Sequence, residues 1–351
     1  MPEDSCIAAE ARRALLRATR PFAVESRPRS WWCVLSTLAL VGAALGIAAL
    51  ASWWPARLAA SVVGGLLLVR AFVLYHDFVH GSILRKSLAA RVLFYLYGIA
   101  VLCPPRPWRH SHNFHHAHVG RPIPVEDGAF SLLVSDVGAF PLMTTNMWRQ
   151  ASFWQRLRYR ITRHPLTILL AYVTVFFFSI CVGSLVRHPR KYWESAVSIL
   201  VHGGVIALIW LWLGPLGALF GWILPFAIAS AAGAYLFFAQ HNFEGMRIVP
   251  SDQWTLDRAA LQSSSYMKLG PVLSWFTANI GYHHVHHLNA RIPSYALPKA
   301  MAAIPEAQEP MVTSLGLRDI FACLRLNLWD PERQCLVRYR DAAREHEAAV
   351  L

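Results

Sequence analysis

The chain has 351 residues, of which 55% are hydrophobic and only 15% charged, with a net charge of +13. A soluble domain carries nearer a quarter charged residues, and the mean hydropathy of +0.36 comes from apolar blocks long enough to cross a bilayer, so an ordinary soluble domain is excluded. The Arg residues flank these blocks and form no aromatic-interleaved patch, which excludes nucleic acid and points to anionic headgroups or an acidic electron-donor protein.

The first element, within residues 1–30, reads MPEDSCIAAEARRALLRATRPF. It has no early apolar core and is mixed in charge, so it reads as a cytoplasmic, partly amphipathic helix and not as a secretory signal. Six apolar segments follow, at 31–54, 57–75, 88–104, 166–186, 195–213 and 215–239. The links SWWPARL and LGPL are nearly uncharged and read as turns on the outer face. The other connections are rich in Arg and belong on the cytoplasmic side. Segments 88–104 and 166–186 have basic residues on both flanks, so each should lie in the interface or re-enter. The expected architecture is therefore an all-α integral membrane domain over 31–310. It has four transmembrane helices in two hairpins plus interfacial helices, both termini inside, and a cytoplasmic tail over 311–351. The six cysteines show no CxxC or CxxxC spacing and read as free thiols in a reducing compartment.

Histidine carries the chemistry. HDFVH closes the second crossing and places His76 and His80 at i and i+4, on one face of a helix. HNFHH supplies His112, His115 and His116, and GYHHVHH supplies His283, His286 and His287 with the same H-x-x-H-H spacing. His241, in AQHNFEG, ends the last crossing at the same depth. All these stretches fall on the cytoplasmic side of the four-crossing topology, so eight or nine imidazoles converge there. One metal cannot use so many ligands, whereas two metals with four or five each can. Thiolates and Glu-x-x-His pairs are missing from the clusters, and an all-imidazole set suits iron, copper or zinc alike. His110, His118 and His284 sit beside the clusters but off their spacing. His164, His188, His202 and His346 read as structural.

HDFVHGS, QHNFEG and WFTANIGYHHVHHLNARIPSY give the chain its resemblance to a known family. It resembles the integral-membrane fatty acid desaturases with three histidine boxes, most closely the acyl-lipid Δ12/omega-6 type, over roughly residues 70–300. The resemblance implies a centre of two non-haem iron ions that activates O2 and introduces a C=C double bond into the fatty acyl chain of a lipid. Its ligands would be His76, His80, His112, His115, His116, His283, His286 and His287. A further family position falls on His241. No HPGG haem motif occurs, so electrons would come from a separate donor of ferredoxin or cytochrome b5 type. The extra His284, and the bracketing of the second box by His110 and His118, depart from the usual pattern.

Several acids and one amide are candidates for orienting the ligands through their second ring nitrogen: Asp77, Glu126, Asp127, Glu244 and Asn279. Phe72, Phe78, Phe114, Trp275 and Phe276 could line an acyl slot, with ordinary packing the plainer reading for most of them. Arg70, inside the second apolar segment, reads as snorkelling to headgroups or meeting an anionic substrate head. Two other functions compete. A membrane hydroxylase or ketolase acting on carotenoid, sterol or alkane would use similar boxes. A metal transporter or sensor would need polar groups along the crossings, and their outer halves hold almost none.

Overall fold

The protein is described by a computed structural model over residues 2–121 and 140–342, and helix dominates it. The first two apolar segments form the hairpin of α2 (Arg27–Leu50) and α3 (Trp54–His80). Each begins with Pro in its first turn, where the missing N–H would have no partner in any case. At 1.5 Å per residue both exceed the roughly 30 Å of a hydrocarbon core. Next come α4 (Leu88–Ala100) and α5 (Pro105–His118), which meet at 91°. The corner is made by Leu102 with φ 55° and by consecutive prolines at 104 and 105. Apolar α6 (Tyr172–Arg187) is too short to span and is π-helical over Tyr172–Gly183. α4 and α6 are the two segments whose basic flanks assigned them to the interface.

A second hairpin follows. The apolar stretch Glu194–Ala239, 46 residues long, contains α7 (Glu194–Ala218) and α8 (Leu224–Ala239). The chain reverses at Gly214 (φ 72°, ψ −179°), just before Pro215. The two arms then lie side by side, with the His202 ring 5.1 Å from that of Phe226. His202 is also held by Tyr172 Oη at 2.5 Å and the Ala100 carbonyl at 2.7 Å, which makes it a structural residue.

α3 is the centre of the bundle. Leu67, Leu68, Ala71, Leu74 and Tyr75 are buried with Val34, Val41 and Phe94 in one cluster. α3 approaches α8 closely because residue 65 is glycine. A Cβ there would fall 2.7 Å from Ile228 Cγ2.

Over the histidine end lies a cap of short elements: α9 (Gly270–Phe276), α10 (His283–Leu288) and five strands of two or three residues. The strands are β1 (Met143–Thr144), β2 (Tyr266–Lys268), β3 (Val312–Ser314), β4 (Leu328–Asp330) and β5 (Cys335–Val337). β2 pairs parallel with β3, and β4 lies between parallel β1 and antiparallel β5. The expected all-α fold thus gains two small sheets, too short to leave an alternating pattern in the sequence. Through them the segment after residue 311 is woven into the cap. At the other terminus, α1 (Pro2–Thr19) packs Leu15 into a cluster with Val285, Leu288 and Leu297, beneath α10.

Candidate metal centre

Four elements bring the histidines together. α3 delivers His76 and His80 in its last turns and stops at Gly81, whose φ of 67° is the left-handed conformation that ends a helix. α5, started by Pro105 in its first turn, carries His112, His115 and His116. α10 carries His283, His286 and His287, and His241 lies two residues past the end of α8. All six residues of α10 are buried. Its imidazoles face the other helices, while Val285 and Leu288 fill the cluster beneath.

The nine rings sort into two groups. His76, His80, His112, His116 and His286 form one, and His115, His241, His283 and His287 the other. Within each group the ligand atoms lie within 4.8 Å of one another. The groups are adjacent, since the His116 and His287 rings stack at 4.3 Å. The Nε2 atoms point inward. His80 Nε2 is 3.2 Å from that of His76 and 2.8 Å from that of His112. His116 Nε2 is 3.2 Å from His112 and 3.1 Å from His286. In the second group the approaches are 2.9 Å for His283–His241, 3.1 Å for His287–His283 and 3.2 Å for His115–His287.

Such contacts make poor sense as hydrogen bonds alone. A neutral imidazole has one N–H, and an Nε2 facing two others cannot satisfy both, so lone pairs confront each other. A cation within each group removes the conflict. Nitrogens that would share one ion at about 2.1 Å lie about 3–3.4 Å from one another, close to the approaches of 2.8 to 3.2 Å seen. The Nδ1 atoms of His76, His112, His283, His286 and His287 are buried and make no hydrogen bond among the described residues. His241 Nδ1 lies 3.0 Å from the Ser263 carbonyl, and an N–H there leaves the Nε2 lone pair facing inward. Burial, reinforced by neighbouring imidazoles, holds His112, His115, His116, His283, His286 and His287 well below the usual imidazole range. Burial lowers His241 to about 4. These rings are neutral at physiological pH, the form in which they bind metal, and the donor set fits a metal site.

The remaining candidates divide. Asp77 accepts from the Ser294 amide at 2.8 Å through Oδ2, while its Oδ1 lies 3.8 Å from His76 Nδ1. It therefore ties the 293–296 turn to α3 beside a clustered ring. Asn279 donates to the Ser294 carbonyl at 3.3 Å and makes no hydrogen bond to a histidine of the two groups. Glu244 is exposed on the turn before Gly245, and Glu126, Asp127 and His346 lie outside the described residues. Of the off-spacing histidines, His284 turns its Nε2 to the Ala307 carbonyl at 3.1 Å, His118 stacks on Phe114, and exposed His110 lies near Tyr192. None of the three joins either group.

An apolar cavity of about 120 Å³ leads to the histidines. α3 contributes Val69, Phe72 and Val73, α6 contributes Val175 and Phe176, and His76, His112 and His283 lie along its wall. The cavity therefore touches both groups. Phe72 is the one suggested slot aromatic that lines it. Phe78 stacks on Phe94, Phe114 on His118, Trp275 lies under Arg70, and Phe276 packs against the α2–α4 cluster. Sequence reasoning missed Trp108, which lines the cavity and stacks on His112 at 4.8 Å. Its i, i+4 spacing from His112 on α5 was the available signal. It also missed the clamp of Arg163 Nη2 on Asn242 Oδ1 (2.5 Å), with Asn242 donating to the Cys323 carbonyl (2.7 Å) beside His241. Those partners are far apart in sequence and left no signal.

Long apolar hairpins capped by two imidazole groups define a membrane-type fold whose histidine clusters fit a metal site. Comparison with known proteins narrows this: the family described as fatty acid desaturase matches residues 52–315. A fatty acid desaturase of Bacillus subtilis (strain 168) is 30% identical over 293 residues, covering 81% of this chain and 77% of that protein. The sn-1 oleoyl-lipid 12-desaturase of a Picosynechococcus species is 22% identical over 79% of this chain and 77% of its own length. The chloroplastic omega-6 fatty acid desaturase of Brassica napus is 23% identical over 79% of this chain and 60% of its own length. The chain belongs to the fatty acid desaturase family, a family of oxidoreductases.

Proposed function

We propose that this protein is a membrane fatty acyl desaturase that uses two iron ions and O2 to introduce a C=C bond into the acyl chain of a lipid, in the manner of the Δ12/omega-6 enzymes. The observation that carries the reading is the pair of inward-facing imidazole groups at an apolar cavity. His76, His80, His112, His116 and His286 would hold one ion, and His115, His241, His283 and His287 the other. Bound redox metals with open positions supply the O2 activation that an unactivated methylene C–H bond requires. Zinc, which has no redox chemistry, does not serve.

The chain's own residues set the rest. Val69, Phe72, Val73 and Phe176 shape a slot that admits a hydrocarbon chain and excludes water. Two methylene hydrogens, together with two donor electrons and two protons, reduce O2 to two waters. The electrons come from a separate donor of ferredoxin or cytochrome b5 type. The Arg-rich connections on the histidine side favour a cytoplasmic active site by the positive-inside rule and offer a basic surface to an acidic donor.

The test is a fatty-acid profile by gas chromatography–mass spectrometry, in a bacterium that makes only saturated and monounsaturated chains. The host expresses the protein with a ferredoxin and its reductase. A species two hydrogens lighter, missing with His286→Ala, is expected. A product one oxygen heavier would make the protein a hydroxylase. No new product from iron-loaded membranes fed several lipid classes would overturn the acyl-lipid assignment.

A further inference from the structure

A second cavity, of about 910 Å³, opens on a different face of α3. The two cavities share a wall, the stretch from Asn279 to His283. Asn279 and Tyr282 line the large cavity, whereas Ile280 and His283 line the acyl slot. Arg29, Arg70 and Lys268 also line the large cavity, and among the described residues no Asp or Glu does.

Arg70 is the unusual group. It lies inside an apolar helix and is only 9% exposed. Its Nε donates to Thr37 Oγ1 at 3.0 Å, its Nη1 donates to the Trp275 carbonyl, and the guanidinium sits 4.3 Å above the Trp275 ring. These partners orient the charge without neutralising it, and an intramembrane cation without an anion is costly. Nor does Arg70 snorkel, because it is tied to Thr37, ten residues into α2. Arg29 lies over the Tyr295 ring, its guanidinium carbon 4.4 Å from the ring centre. The rim faces lipid: Trp32 is 73% exposed beside the exposed Leu35 and Leu40, and an exposed Trp near a helix end marks the headgroup level of a bilayer.

We propose that this cavity binds the phosphate of an anionic phospholipid, admitted from the bilayer past Trp32 and paired with Arg70, Arg29 and Lys268. The proposal is independent of the desaturase reading, because it needs neither metal nor turnover. The charge complementarity is one-sided, three cations with no carboxylate among the described lining residues, and the lipid-facing rim favours a headgroup over a free ion.

Native mass spectrometry of the full-length protein in detergent tests it. Phosphatidylglycerol and phosphatidylcholine with identical chains are titrated separately, then phosphatidylglycerol is titrated against inorganic phosphate. Phosphatidylglycerol should bind more tightly than phosphatidylcholine. Arg29→Gln with Lys268→Gln, both on exposed residues, should weaken it roughly tenfold, since each basic residue contributes to anionic-lipid affinity. Arg70→Gln should weaken it further where that variant folds. Equal binding of the two lipids, or unchanged affinity in the double variant, would overturn the proposal. Displacement of the lipid by millimolar phosphate would assign the cavity to a free anion and overturn the headgroup.

Discussion

α3 and the α7–α8 stretch have nearly the same mean hydropathy, 2.0 and 2.1, yet 61% of the α3 window is buried against 11% of the other. Hydropathy reports that a helix avoids water and is silent on whether it meets lipid or protein. Small residues and terminal chemistry make the difference. α3 has Gly64 and Gly65 pressed against α2 and α8 and ends in the two histidines that the rest of the site surrounds. α7 has Gly203 and Gly204 with nothing within 4 Å of a Cβ position. α3 is thus held by protein on most sides, a rigid support for His76 and His80, while the middle of α7 stays largely exposed.

The largest effect expected from this contrast is at the histidine end. His286→Ala should remove a member of the five-histidine group and lower activity by about 100-fold or more, with metal per chain falling from two to one or fewer by plasma mass spectrometry. His284→Ala, on the same buried helix but turned to the Ala307 carbonyl, should retain both metals. It should cost about 1–3 kcal/mol of stability through the unpaired carbonyl. Loss of metal in both variants alike would dissolve the distinction between the two rings.

The helix pair itself comes next. Gly65→Val would drive methyl groups into Ile228 and the Pro225 carbonyl, already 2.7 and 3.0 Å from a Cβ, at a cost of about 1–3 kcal/mol. Gly203→Val should change the detergent melting temperature little, within about 0.5 kcal/mol. Equal effects would mean that α7 is as enclosed as α3.

A further difference is a slope with pH. Burial brings His241 and His284 from 6.5 to about 4 in the folded protein. Between those values the unfolded chain binds more protons than the folded one, so stability rises with pH. The metal-free protein should therefore melt at steadily lower temperature as pH falls from about 6.5 to about 4, and should be flat in this respect above pH 7. A thermal-shift series across that range measures it.

How far the sequence foretold this depends on the kind of signal. Arg placement and hydropathy were enough for the two hairpins, because the positive-inside bias acts on composition. Helical spacing was enough to gather His76 with His80 and His112 with His116. It could not show the partition into five and four. His115 and His116 are neighbours in sequence and fall in different groups, as do His286 and His287, because successive residues on a helix point about 100° apart, so that α5 and α10 each reach both cages. The Arg163–Asn242 clamp and the seat of Arg70 on Trp275 were also illegible. Each joins side chains to distant backbone with no periodic pattern to betray the pairing.

The clamp has a consequence in time. Asn242, next to His241, is fastened by the carbonyls of Cys323 and Leu326, and Arg163 reaches Leu326 as well. β4, which follows them at once, pairs with β1 about 180 residues upstream. While the ribosome is still making the second hairpin, the surroundings of His241 lack their fastening. The four-histidine cage can set only after the stretch around residue 326 has emerged and folded back. A chain stalled before that point would sit in the membrane fully inserted and chemically unfinished.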